Sequence, residues 1–345
     1  MPRRLMKPLL ALVFLASFFL SIMIGPVRIP ASAVAGFFFD FLPWFSKPTA
    51  VYWDIIYYLR LPRVILALLV GASLAMGGVV VQAMFRNPMA EPYVIGLSSG
   101  AALGASLAST LSLYFLGPYT MQIMAFVFAL LSTFLVYALA RALGPSSVIG
   151  TSSGVLLLSG IAVSLLFGSL SSFVIYVNAA QRPEVIFWLL GSLADAEWQE
   201  IPFVFGIVAI CALALYAFRR DLDALSLGDE DALYVGVNVK NVKVALMSIT
   251  ALMVATVVSV SGLIGFVGLM IPHMTRMSFG SAHRVLLPFS AIMGGVFLLL
   301  CDDLARTAMA PLEIPIGIIT AFVGVPFFFV LLKKRGYGER FDRGP

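Results

Sequence analysis

The chain has 345 residues, of which 61% are hydrophobic and only 11% charged, and its mean hydropathy is +1.02. Soluble domains carry about 25% charged residues, so this composition excludes a soluble globular protein. The net charge of +5 is scattered between apolar runs with no basic face, which excludes nucleic acid as a partner, and Cys211 and Cys301 lack the spacing of a disulfide framework or metal site.

A bilayer core takes about 20 apolar residues per helix. Ten runs qualify: 6–25, 63–85, 94–114, 120–140, 154–177, 201–218, 239–260, 262–278, 285–304 and 314–332. They predict an all-α polytopic protein, one membrane domain over residues 1–345 with ten transmembrane helices and the lipid bilayer as solvent. The first run follows Arg3, Arg4 and Lys7 and precedes Ala31-Ser32-Ala33, as a secretory signal does. Its apolar core is long for a signal, and a retained helix is expected. With the N-terminus in the cytoplasm, sixteen Lys and Arg residues fall inside and six outside, as the positive-inside rule asks. An even number of spans then returns the C-terminus to the cytoplasm.

Between the second and third runs, RNPMAEPYVIGLSSGAALG contains Pro88 and Pro92, which break helical bonding and force a turn. Ser98 or Ser99 is expected to cap the next helix. Gly96, Gly100 and Gly104, and later Gly294 and Gly295, allow close backbone approach in lipid, either within the subunit or at a seam between subunits. Before the fifth run, GPSSVIGTSSG presents Thr151, Ser152 and Ser153.

Between the sixth and seventh runs, residues 221–236 carry five of the seventeen carboxylates. Gly228, Ala232 and Gly236 recur every fourth residue, predicting one helix with a small-residue stripe and with Asp229, Glu230 and Asp231 turned to water or a partner. Two readings stand at this point, a solvated loop and a docking element. His273 and His283 lie ten residues apart without a carboxylate pattern joining them, and capping or partner contact is expected rather than metal or haem ligation. Asp302-Asp303 is read as a hydrated helix end, with the cation site of a secondary transporter as the alternative. The chain has no Gly-Lys pair and so no phosphate-wrapping GxxxxGK[ST] loop. An enzyme is not expected.

RLPRVILALLVGASLAMGGVVVQAMFRNPMAEPYVIGLSSGAALG (60–104), FWLLGSL (187–193), SLGDEDALYVGV (226–237), SGLIGFVGLMIPHMTR (261–276) and DDLARTAMAPLEIPIGIITAFVGVPFF (302–328) occur in this order. Together they resemble the FecCD-type permease subunits of ATP-binding-cassette importers for iron-siderophore complexes, haem and cobalamin. Residues 37–45, FFFDFLPWF, match nothing assignable. The resemblance implies a type II importer architecture and a homodimer in the cytoplasmic (inner) membrane. It implies two ABC ATPase subunits below, which hold ATP and Mg, and a substrate-binding protein above, with no cofactor on this chain. By the same resemblance, residues 221–236 form the coupling segment, with ATPase contacts at Leu227, Gly228, Asp229, Glu230, Ala232 and Gly236. Arg60, Arg63 and Arg306 are docking residues for the binding protein, and Thr151, Ser152 and Ser153 form a cytoplasmic gate. The cargo is not specified, and molybdate-like oxyanions remain open beside the metal complexes.

Overall fold

The computed structural model describes residues 3–42, 44, 47–143, 153–178 and 184–334. Among these, regular structure is entirely helical: α1 (Arg3–Met23), α2 (Ala31–Phe39), α3 (Ala50–Asp54) running through a π-helical turn (Ile55–Arg60) into α4 (Leu61–Phe85), α5 (Leu97–Thr110), α6 (Thr120–Leu143), α7 (Ser153–Asn178), α8 (Glu184–Leu189), α9 (Ile201–Ala217), α10 (Arg219–Leu227), α11 (Asp229–Tyr234), α12 (Val239–Ser261), α13 (Val267–Phe279), α14 (His283–Thr307) and α15 (Ile316–Lys334).

Ten of these helices coincide with the ten apolar runs. Five helical segments, Ala50–Phe85, Gly117–Leu143, Ser153–Val177, Val239–Ser261 and His283–Thr307, are long and apolar enough to cross a bilayer on their own. A sixth appears if α9 and α10, bent by 56°, count as one. α5 and α13 have 14 and 13 residues, about 20 Å at 1.5 Å per residue, against a hydrocarbon core of about 30 Å. Non-helical chain supplies the difference: a 3-10 turn, Pro92–Ile95, leads into α5, and residues 262–266 lead into α13.

The centre of the bundle is α4, which is buried nearly all round and packs on α12, α13 and α14. Glycine makes the approach possible. A side-chain carbon on Gly71 would collide with the carbonyl of Gly294, one on Gly294 with the carbonyl of Gly71, and one on Gly78 with the carbonyl of Gly268. Gly100 and Gly104 of α5 likewise press on the backbone of α6 at Phe128 and Met124. These small-residue faces therefore serve packing within the subunit. The helix before Arg86 ends with that residue in the left-handed region, at φ 47°, where the chain turns back as Pro88 and Pro92 require. Neither Ser98 nor Ser99 caps α5, because the helix already begins at Leu97 with Gly96 as its N-cap residue; the Ser99 hydroxyl donates to the Gly96 carbonyl at 3.0 Å.

α1 belongs to this packing. It lies on α14, and its Ser21 and Ile22 are fully buried. Replacing Gly78 by Leu should destabilise the folded protein by about 3 kcal/mol or prevent folding, since the clash is with main chain that has nowhere to move. Thermal melting in detergent by size-exclusion fluorescence checks this, with Gly206→Leu, which meets open space, as the control.

Candidate functional site

The polar segment between α9 and α12 folds as an elbow of two short helices. Gly228 stands between them in extended conformation and ends α10, so the single helix expected over residues 221–236 is replaced by α10, a break, and α11. The break also undoes the expected stripe. Ala232 is 0% exposed, packed inward, whereas Leu227 is 71%, Tyr234 86% and Val235 69% exposed. Leu233, also exposed, joins them. Large apolar side chains thus stand exposed on a segment otherwise rich in carboxylates. Glu230 and Asp231 face solvent, and Gly236 closes α11 at φ 88°, a conformation that favours glycine.

Two carboxylates fasten the elbow to the bundle. Asp223 of α10 accepts both the backbone N–H of His283 at 2.9 Å and a hydrogen bond with its Nδ1 at 2.6 Å. Ala282, the local N-cap residue of α14, offers no side-chain cap, so α14 takes its cap from another element. Asp229, expected to face water or a partner, instead pairs with Lys243 at 2.6 Å, with both side chains mostly buried. Lys243 also donates to Ser153 Oγ at 3.3 Å, and Ser153 donates to the Met84 carbonyl at 3.1 Å. Thr151 and Ser152 lie outside the described residues. A cavity of about 820 Å³ opens beside the elbow, lined among others by Gln82, Arg86, Ser226, Leu227 and Arg276.

The non-helical stretch 262–266 is held inside the protein by side chains of the preceding turn. Glu91 Oε1 accepts the Phe266 N–H at 2.7 Å, and the Tyr93 hydroxyl both donates to the Ile264 carbonyl at 3.0 Å and accepts its N–H at 3.1 Å. On its other side, Ser192 donates to Ser261, while Ile316 and Gly317 donate to Gly191 and Leu190. Broken helices are tolerated at membrane depth only where protein supplies such partners. A largely apolar cavity of about 630 Å³ borders this junction, lined by Leu190, Leu263, Phe266, Gly317 and Phe322 among others.

At the opposite end of α14 the charges gather. Arg63 grips Asp302 through Nε and Nη2, at 2.9 to 3.1 Å, and Glu313 through Nη1 at 2.9 Å. Arg306 pairs with Asp302 at 3.0 Å and with Asp303. Ser21 of α1 bonds to Asp303 at 2.7 Å and to Arg306 at 2.9 Å. Arg60 donates to the carbonyls of Ile24 and Val27, and a side chain on Gly25 would collide with its guanidinium. Arg63 and Arg306 thus share Asp302, Asp303 and Glu313 in one ion-pair network, with Arg60 beside it on backbone carbonyls. This departs from two expectations. Asp302 and Asp303 are not a hydrated helix end but buried, because the arginines neutralise them. Arg60, Arg63 and Arg306, the last 2% exposed, are turned inward and spent within the chain, so they do not stand free as docking residues.

Spacing alone does not single out Lys243, Glu91 or Tyr93. A carboxylate directly before a proline that interrupts two apolar runs was the available signal for Glu91. Tyr234 and Val235 could have been found as large apolar residues inside a polar segment.

A bundle of long apolar helices, some of them broken, with a buried charge lock at one end and an exposed apolar elbow at the other, defines a polytopic membrane protein. Residues 12–334 match the FecCD transport family, and the chain belongs to it. It is 43% identical over 279 residues to the cobalamin import system permease protein BtuC of Halobacterium salinarum, covering 80% of this chain and 73% of that protein. It is 37% identical over 297 residues to the hemin transport system permease protein HmuU of Yersinia pestis, covering 85% and 87%. Among solved structures, an ABC transporter described as of metal-chelate type, in an inward-facing conformation, superposes with TM-score 0.82 at 32% identity over 97% of this chain and 100% of that one. The protein is a multi-pass ABC-importer permease, and the family's role is transport rather than enzymatic catalysis.

Two outcomes are expected. Arg63→Ala leaves Asp302 buried without its main partner and should cost about 3–5 kcal/mol. Arg63→Lys should recover only part of this, since an ammonium cannot make the two-pronged contact; thermal melts compare the three proteins. Glu91→Ala strands the buried Phe266 N–H and should cost about 1–3 kcal/mol, read in the same melts.

Proposed function

We propose that this permease forms a homodimer that carries an iron chelate, such as a siderophore complex or haem, or a cobalamin-like metal complex across the cytoplasmic membrane. A substrate-binding protein delivers the cargo from outside, and two separate ATPase subunits, which hold ATP and Mg, drive the cycle. The observation that carries this reading is the elbow: Leu227, Leu233, Tyr234 and Val235 stand exposed on a polar segment too short to be a membrane anchor. The relatives' printed substrates, cobalamin and hemin, supply the cargo class.

In this reading the ATPase receives the elbow around Leu227, Gly228, Glu230 and Tyr234, while Ala232 supports it from inside. ATP shifts the inward–outward equilibrium only by binding one state of the ATPase pair better than the other, and the elbow converts that difference into motion of the helices. The gate is assigned to residues 151–153, entering α7. The charge network beneath the outer face fixes the shape of the surface where the binding protein sits. A cation-coupled secondary transporter with Asp302 and Asp303 as its ion site is disfavoured by the same network, since both carboxylates already face arginine.

Vesicles holding the permease and its ATPase subunits should accumulate cargo on ATP addition, whereas vesicles holding the permease alone should not. Accumulation by the permease alone, driven by an ion gradient, would sink the proposal. Tyr234→Glu should weaken ATPase binding at least about tenfold, as loss of a central aromatic anchor does. Gly228→Leu should leave the protein inserted while ATP hydrolysis continues without matching uptake, and dual measurement of phosphate release and uptake detects this.

A further inference from the structure

Lys243 is placed oddly for its chemistry. It stands near the start of α12, is 8% exposed, and sits toward the end of the helix where the backbone dipole disfavours a cation. A buried ammonium is costly unless it is paired and hydrogen-bonded. What surrounds it accounts for its presence. Its Nζ meets Asp229 Oδ2 at 2.6 Å and Ser153 Oγ at 3.3 Å, and Ser153 continues to the Met84 carbonyl at 3.1 Å. Lys243 and Ser153 together therefore join four elements: α11 of the elbow, the root of α12, the first residue of α7 and the last turn of α4.

We propose that Lys243 is a positioning residue that passes displacement of the elbow to the inner end of α7, the helix entered from the gate. The inference rests on the coupling reading above and adds the route to it. Asp223 holds α10 against α14, so the break at Gly228 leaves α11 as the half of the elbow able to swing. Asp229 opens α11 directly after that break. When the ATPase draws α11, the short ion pair carries the Lys243 ammonium with it, and Ser153 follows through its hydrogen bond. Without the ammonium, α11 moves and the root of α7 stays where it is.

The test uses the complete transporter, permease dimer with both ATPase subunits, in proteoliposomes. Cys211 and Cys301 are replaced by alanine, and Gly154→Cys, exposed beside Ser153, is labelled with a maleimide. The readout is the ratio of labelling rates with and without ATP plus vanadate, together with the ATPase rate. If the parent protein fails to bind its ATPase subunits or shows no ATP-dependent change, the coupling reading itself fails, independently of the relay. Given that change, Ser153→Ala and Lys243→Met should each reduce it at least about fivefold, the factor expected for one lost hydrogen bond. The ATPase rate should stay within about twofold, and Ser153→Thr, which keeps the hydroxyl, should retain the change. A merely structural role would lower the amount of assembled transporter and leave the ratio intact. Should Lys243→Met not assemble because Asp229 is stranded, the charge-balanced pair Asp229→Asn with Lys243→Met takes its place. An undiminished ratio in both Ser153→Ala and the lysine variant overturns the relay, as does a Ser153→Thr protein that behaves like Ser153→Ala.

Discussion

Lipid offers no hydrogen-bond partner, so every polar group this chain takes into the bilayer must be answered by another part of the same chain. That constraint explains why so few polar residues hold so much of the structure. Glu91 and Tyr93 answer the backbone of residues 264–266. Arg63 and Arg306 answer Asp302 and Asp303. Where no polar group is present, close packing of α4 against α13 and α14 through Gly71, Gly78, Gly268 and Gly294 supplies the cohesion that the hydrophobic effect cannot supply between helices in lipid.

The charges are sorted by what they touch. At the far end of α14 they gather in a network that also clamps α1 through Ser21. Such an arrangement contributes little net stability compared with an apolar replacement, but its geometry is unforgiving when one member is removed. At the elbow the charges divide: Asp223 and Asp229 turn inward as fasteners, while Glu230 and Asp231 remain in water. The elbow therefore turns apolar side chains outward while it is fixed to two different helices of its own.

Much of this was legible in the sequence, and the parts that were not share one cause. Long apolar runs, the proline turn at 88–92 and the polar interruption at 221–236 are local signals, and each appears where expected. Pairing across the fold is not local. Asp223 meets His283 sixty residues away, and Arg63 meets Asp302 across 239 residues. Periodicity made Gly228, Ala232 and Gly236 look like one stripe; an extended Gly228 splits it, which no spacing rule reveals. The family resemblance implies docking roles for the arginines of RLPR and DDLAR, yet Arg63 is drawn inward by Asp302 and Glu313 from far along the chain, and Arg306 by Asp302 and Asp303 of its own motif.

The borrowed cap on α14 has a mechanical corollary. A helix whose first amide is satisfied by its own neighbour is indifferent to what surrounds it, but α14 begins correctly only while α10 stays beside it. Sliding the elbow away strands that amide and the imidazole together, at about 1 kcal/mol or more. α10 and the first turn of α14 are thus tied as one piece, which ends where α10 does, at Gly228.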